Sequence, residues 1–123
     1  MPLRMRLAAI TLDCADPLAL AAFYERATGL VPHPDSDGEF AGLTRGDGLF
    51  LGFQRVDGYR APRWPGQDVP QQVHLDFAVA DLDAAEAELL RLGAGAPASQ
   101  PDKERFRVLT DPAGHPFCLV VRG

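Results

Sequence analysis

The 123-residue sequence lacks most of the features that mark specialised classes of protein. It has only two cysteines, Cys14 and Cys118, with no CxxC or Cys/His spacing, which argues against a disulfide framework or a structural zinc site. It has no basic excess either, because 17 acidic and 12 basic side chains give a formal charge of −5. Nucleic acid is therefore an unexpected partner. No apolar run approaches the roughly 20 residues of a membrane span, so we expect no membrane partner and a soluble, cytoplasmic protein.

The sequence does contain an internal repeat. Residues 9–30 and 74–94 each have a strand-like alternation, an Ala-Asp pair, a helix-like run and a glycine. The aspartates suit helix N-caps and the glycines suit helix C-caps, which predicts helices after Asp16 and Asp81. We therefore expect one domain, residues 1–123, built from module 1 (5–56), a connector (57–71) and module 2 (72–122).

Each predicted module has two functionally different strand faces. Side chains alternate along a strand, so the apolar face packs on the helix and the other face lines a cup between the modules. The residues predicted on the cup side are Ala9, Thr11, Asp13, His74, Asp76 and Cys118.

Four segments resemble a known superfamily: DCADPLALAAFYERATGL, LGFQRV, VHLDFAVADLDAAEAELLRLGA and DPAGHPFCLV. Together they look like the actinobacterial glyoxalase-like subgroup of the vicinal oxygen chelate superfamily. That superfamily includes glyoxalase I, bleomycin- and fosfomycin-resistance proteins, and extradiol dioxygenases. The resemblance implies an α+β fold with two βαβββ modules forming a cup, a small organic molecule as ligand, and a homodimer.

The resemblance also locates the superfamily's metal ligands. Their positions fall on Ala9, on Gly52 or Gln54, on His74 and on Cys118. Alanine cannot bind a metal and glutamine is a weak neutral ligand, so His74 is the only plausible metal ligand. We expect no metal cofactor. The alternative is a divalent ion held by an imidazole, a thiolate and an amide.

His74 and Asp76 are the leading catalytic candidates. They are two residues apart on a predicted strand, so their side chains leave the same face. The carboxylate can orient the imidazole for acid–base chemistry or for hydrogen bonding to a ligand. Alternatively, the two side chains simply satisfy each other in a cavity wall.

Other residues are predicted to contact the ligand. Gln54 and Thr11 lie on predicted strands, and Trp64 lies in a connector cluster with Tyr59 that could stack a ligand or anchor the loop. Cys118 is a further predicted ligand contact. Its apolar neighbours and the lack of a predicted basic neighbour favour the alternative, in which Cys118 is buried and behaves as a small hydrophobic residue.

The remaining polar and aromatic residues are given structural roles. Asp16, Asp81 and Asp111 are predicted to cap helices or turns. His33 and His115 are predicted to be solvent-exposed turn residues. The rings of Phe40, Phe50 and Phe53 are predicted to divide between the core and the cavity wall, with the core favoured for each.

The function expected from these features is that of a small-molecule-binding protein or a metal-independent enzyme. His74 and Asp76 would hold the ligand in a cup. One alternative is a metal-dependent lyase, isomerase or dioxygenase with an atypical ligand set. Another is a drug-sequestering resistance protein, and a third is an accessory domain that binds a protein partner.

Overall fold

The structure is a computed structural model that describes residues 3–121. It is an α+β fold with a four-stranded sheet, a three-stranded sheet and two helices. The chain divides into two compact units, Met1–Asp57 (unit 1) and Gly58–Gly123 (unit 2). Neither described helix is long and apolar enough to cross a membrane.

Unit 1 contains the four-stranded sheet and the first helix. Its elements are β1 (Ala9–Cys14), α1 (Pro17–Thr28), β2 (Val31–Pro32), β3 (Phe40–Thr44) and β4 (Phe50–Arg55). The strand order is β1-β4-β3-β2, with β1 parallel to β4 and the other pairs antiparallel. Helix α1 packs against β3 and β4, so one face of this sheet is covered by the helix.

Helix α1 begins and ends as the sequence predicts. The Asp16 carboxylate accepts a hydrogen bond from Ala19 N–H at 3.1 Å, which satisfies one of the unpaired donors of the first turn. Gly29 ends the helix with φ 74°, a left-handed conformation in which a Cβ would be strained. Ala21 of this helix is buried, whereas Ala27 is exposed.

Aromatic rings fill the space between α1 and its sheet. Phe23 and Tyr24 of α1 are 2% and 1% exposed, and Phe53 of β4 is fully buried. The Tyr24 and Phe53 rings stack with centroids 5.6 Å apart. Burying rings of this size is a dominant stabilising contribution in a small unit, and the predicted core position of Phe53 is confirmed.

Unit 2 repeats the arrangement with one strand fewer among the described residues. Its elements are β5 (Leu75–Val79), α2 (Leu82–Leu92), β6 (Phe106–Thr110) and β7 (Pro116–Val121), in the sheet order β5-β7-β6. Asp81 caps α2 by accepting from Ala84 N–H at 3.0 Å. Where unit 1 has β2, unit 2 has a single bridge between Gly95 and Thr110. Pro97 follows this bridge and cannot donate to a longer ladder.

A charged link joins α2 to its sheet. Arg107 of β6 donates to Asp83 at 2.8 Å and to Glu86 at 3.3 Å, both on α2, and to the Lys103 carbonyl at 2.6 Å. The Arg107 side chain is only 10% exposed, and these three hydrogen bonds satisfy its donors within the protein. Unit 2 therefore holds its helix with an ion-pair link as well as apolar contacts.

The turn before β7 corrects one prediction. Asp111 accepts from Ala113 N–H at 2.9 Å and from His115 N–H at 3.0 Å, which confirms its turn role. His115, however, is only 1% exposed, so its predicted exposure is wrong. The Tyr59 hydroxyl lies 3.2 Å from His115 Nε2 and donates to the Ala113 carbonyl at 2.7 Å. Tyr59 thus anchors the start of unit 2 to this turn.

Candidate functional site

An imidazole, a carboxylate and a thiol meet on one face of the unit 2 sheet. His74 immediately precedes β5, Asp76 lies within β5, and Cys118 lies on β7 directly opposite Asp76 in the parallel ladder. Opposed residues of neighbouring strands point to the same side of a sheet. Strand pairing therefore brings together residues that lie far apart in the sequence. We call these three residues the unit 2 cluster.

The helix lies on the other face of this sheet. One residue along the strands from the cluster, the paired positions across the sheet are Leu75, Phe117 and Leu109. Phe117 and Leu109 are buried in the core, and Arg107 reaches α2 from the same side. The unit 2 cluster is therefore on the face that the sequence assigned to ligand contact.

Both contacts of the imidazole use the same nitrogen. His74 Nε2 lies 3.2 Å from Asp76 Oδ1 and 2.9 Å from Cys118 Sγ. The potential ligand atoms of all three side chains lie within 4.8 Å of one another. Since Nε2 faces the cluster, Nδ1 is the ring nitrogen left for another hydrogen bond.

The cluster combines exposed and buried groups. The side chains of His74 and Asp76 are 45% and 56% exposed, whereas Cys118 is 3% exposed. Burial of the thiol, with a smaller effect from the negative charge of Asp76, raises the pKa of Cys118 to about 11. The thiol is therefore protonated at neutral pH and is a poor nucleophile.

The sequence-based interpretation of Cys118 is corrected in one respect. Its burial agrees with the predicted apolar surroundings, but the expectation that it lacks a basic neighbour is wrong, because His74 lies beside it. The two residues are 44 positions apart. Only the pairing of β5 with β7 makes them neighbours, and no local pattern contains that information.

The donor set of the unit 2 cluster fits a soft or borderline divalent metal ion. Zinc binds imidazole nitrogen, carboxylate oxygen and thiolate sulfur, and catalytic zinc sites use three protein ligands with one open position. The sequence pointed to His74 as the only plausible ligand. In the structure, the potential ligand atoms of Asp76 and Cys118 also lie within 4.8 Å of that of His74, and whether they bind a metal stays a prediction.

The other predicted contact residues lie elsewhere in the two units. Thr11 on β1 opposes Gly52, and Gln54 on β4 opposes Phe40, so both lie on the unit 1 sheet face away from α1. Trp64 is half-buried in the segment that follows Tyr59 in unit 2. Their contact with a ligand stays a prediction.

Sequence reasoning missed a pocket in unit 1. The core was favoured over the cavity wall for Phe40 and Phe50, but Phe40 is 39% exposed and both rings line a cavity. His33, predicted to be solvent-exposed, is half-buried in the same cavity wall. The sequence signal for this pocket was a glycine in each of the segments FAGLT and FLGFQR. A glycine has no side chain, so an aromatic ring of the neighbouring strand can lie flat over it.

Comparison with known proteins identifies the family. A family model described as "Glyoxalase-like domain" matches residues 9–120. This chain belongs to the glyoxalase-like family. The superfamily inferred from the four sequence segments is thereby confirmed.

The glyoxalase-like chain is also similar to longer mycobacterial proteins. It is 39% identical over 106 residues to "Putative glyoxylase CFP32" of Mycobacterium bovis, a match that covers 84% of this chain. A Mycobacterium tuberculosis protein of the same name matches equally. The aligned part is 38% of each relative, so the chain spans well under half the length of the curated relatives it matches.

Solved structures confirm the fold. A glyoxalase/bleomycin resistance protein/dioxygenase family enzyme from Burkholderia phytofirmans PsJN superposes with a TM-score of 0.74 at 18% identity, covering 95% of this chain and 98% of the other. The bleomycin-binding protein of Streptomyces verticillus, solved with copper(II)-bleomycin, gives 0.60 at 21% identity, covering 99% and 100%. At these identities the likeness establishes the fold alone.

Proposed function

We propose that this glyoxalase-like domain binds a small organic molecule at the unit 2 cluster and that His74 exchanges a proton or a hydrogen bond with it. The observation that supports the proposal is the contact of His74 Nε2 with both Asp76 and Cys118. A half-exposed polar contact of this kind contributes little to stability, so a purely structural role explains this pair poorly. Membership of the glyoxalase-like family adds support for small-molecule binding.

The chemistry follows from the tautomer of His74. When Nε2–H donates to Asp76, the lone pair is on Nδ1, which can accept a proton from a ligand. The carboxylate then stabilises the imidazolium that forms. When the Cys118 thiol donates to Nε2 instead, the ring proton is on Nδ1, which becomes a donor to a ligand oxygen.

The test is ligand binding by matched histidine variants. The probes are small 2-oxo and 2-hydroxy carbonyl compounds, because their oxygens can exchange a hydrogen bond or a proton with His74 Nδ1. We expect His74→Ala to lose binding and Asp76→Asn to weaken it. The control His33→Ala removes a histidine from unit 1 and should bind as the parent does. Unchanged binding by His74→Ala would contradict the proposal.

A second candidate function is metal-dependent chemistry at the same cluster. The three donor types within 4.8 Å favour it. His74, Asp76 and Cys118 would hold the ion, and Cys118 would have to lose its proton. A bound divalent ion would supply Lewis acidity to polarise a ligand oxygen.

Metal analysis separates the two functions. The protein is purified without chelators, and its zinc, copper, nickel, iron and manganese contents are measured beside those of His74→Ala and Cys118→Ser. Stoichiometric metal that both substitutions remove would establish the metal-dependent alternative. Carbonyl-probe binding that survives chelator treatment, with no stoichiometric metal, supports the metal-independent proposal.

Two expectations about the whole protein accompany the proposal. We propose that the protein assembles as a homodimer and acts in the cytoplasm. Light scattering coupled to size exclusion tests the first, and cell fractionation tests the second. A monomer at micromolar concentration would contradict the homodimer. Recovery of the protein outside the cytoplasmic fraction would contradict the cytoplasmic location.

A further inference from the structure

Unit 1 contains a cavity of about 160 Å³ on the sheet face away from α1. Two phenylalanines and the loop between β2 and β3 form its walls. The lining residues used in the argument are His33, Asp35, Asp37, Phe40 and Phe50. We call this cavity the aromatic pocket.

Two glycines determine how the rings lie in the aromatic pocket. Gly42 of β3 and Gly52 of β4 are directly opposed. A Cβ on Gly42 would lie 1.9 Å from Phe50 Cζ, and a Cβ on Gly52 would lie 2.8 Å from Phe40 Cζ. The rings therefore lie over bare backbone. They are parallel within 3°, with centroids 6.0 Å apart.

The loop that forms the other wall is held by hydrogen bonds. His33 N–H donates to the Gly42 carbonyl at 2.8 Å, and Gly42 N–H donates to Ser36 Oγ at 3.0 Å. Asp37 N–H donates to the Phe40 carbonyl at 2.9 Å. A wall that is ordered in advance loses less conformational freedom when a ligand binds.

The charge of the aromatic pocket is negative. Asp35 and Asp37 contribute carboxylates, and no arginine or lysine is among its described lining residues. Asp37 accepts from Glu39 N–H at 2.8 Å and Phe40 N–H at 3.0 Å, which lowers its pKa. His33 Nδ1 accepts from Asp35 N–H at 3.2 Å, which links the imidazole to the loop.

We propose that the aromatic pocket is a binding site for a small organic cation with a quaternary or substituted ammonium head group. The π-faces of Phe40 and Phe50 attract a cation, and the two aspartates add a favourable field. A cavity of about 150 Å³ holds one benzene-sized group, so the pocket accommodates a head group and leaves a longer tail in solvent. All of the residues that form this site belong to unit 1, and the proposed function uses none of them.

The test compares a cation with its uncharged isostere. Choline and 3,3-dimethylbutan-1-ol have nearly the same shape, and each is titrated into the full ¹⁵N-labelled chain. We expect saturable choline shifts in residues 33–42 and at Phe50, with the alcohol binding at least about tenfold more weakly. Equal affinities, or no saturable choline shift, would overturn the proposal.

Substitutions then locate the binding. Phe50→Leu removes one π-face and Asp35→Asn removes one charge at an exposed position, and each should weaken choline binding by about fivefold. Gly42→Ala keeps both rings but places a methyl group where Phe50 lies, so it should also weaken binding. The control Phe77→Leu changes another half-buried ring, which packs edge-to-face on Phe117 in unit 2.

Folding and site identity are checked in the same series. Thermal melting identifies any variant that fails to fold, and Asp35→Asn remains decisive because it changes charge without changing core packing. Parent-like choline binding by folded Phe50→Leu or by Asp35→Asn would overturn the proposal, as would equal loss in Phe77→Leu.

Discussion

The two units share their helix-facing surfaces but differ on the opposite faces of their sheets. Both have a capping aspartate, a helix and a left-handed glycine at the helix end. Away from the helix, unit 1 presents rings over a glycine pair, whereas unit 2 presents an imidazole, a carboxylate and a thiol. Core packing constrains the helix-facing residues, and the opposite face is free to acquire different chemistry.

The units also differ in how each helix is attached. In unit 1, Phe23 and Tyr24 pack on the buried face that holds Phe53. In unit 2, Arg107 links β6 to the acidic residues of α2. Apolar burial dominates folding stability, so unit 1 should respond most strongly to truncation of a ring.

The largest expected effect is therefore truncation of a core ring. Phe53→Ala should lower the free energy of unfolding by about 3–5 kcal/mol, because it removes a fully buried ring and leaves a cavity. Phe40→Ala should have a clearly smaller effect, because Phe40 is 39% exposed. Urea denaturation measures both, and equal losses would contradict the division of unit 1 into a core face and an open face.

The cysteines provide a second test of the unit 2 cluster. A pKa of about 11 keeps the Cys118 thiol protonated at neutral pH. In Cys14→Ser, iodoacetamide should modify folded protein about 100-fold more slowly at pH 8 than unfolded protein, since thiolate fraction falls tenfold per unit of pKa. The rate should rise as the pH approaches 11. A folded rate equal to the unfolded rate would show that Cys118 is accessible and that its pKa is not raised in the folded protein.

A third test asks whether the two helix starts are equivalent. Asp16→Ala and Asp81→Ala each remove one side-chain hydrogen bond to a helix N–H. Each should cost about 1 kcal/mol of unfolding free energy. Asp→Asn at the same positions should cost less, because asparagine also caps helices. A negligible loss at one aspartate alone would show that the repeat is not energetically symmetric.

The smallest expected stability effect is at His74. Its contact with Asp76 is half-exposed, so His74→Ala should change the unfolding free energy by less than about 1 kcal/mol. Thermal and urea denaturation check this value. A large loss would indicate that the cluster stabilises the fold and would weaken the case for a ligand site.

The sequence predicted the helices and most strands because their signals are local. Each of these signals is read from a few neighbouring residues. Asp16 marks the start of α1, Gly29 marks its end, and the alternation in residues 75–79 indicates a strand. The resemblance put His74 and Cys118 at ligand positions, but their direct contact was not predicted because it depends on the register of β5 with β7. Burial of His115 was missed because Tyr59 approaches it from a distant segment. The resemblance supplied the fold, but it did not supply the contacts among the residues of each sheet face.

The most direct test of the central claim is an NMR titration of the full chain with the 2-oxo and 2-hydroxy carbonyl probes. We predict saturable shifts concentrated in Leu75–Val79 and Pro116–Val121, around the unit 2 cluster, and their loss in His74→Ala. Saturable shifts confined to unit 1, or shifts around β5 and β7 that persist unchanged in His74→Ala, would contradict the claim.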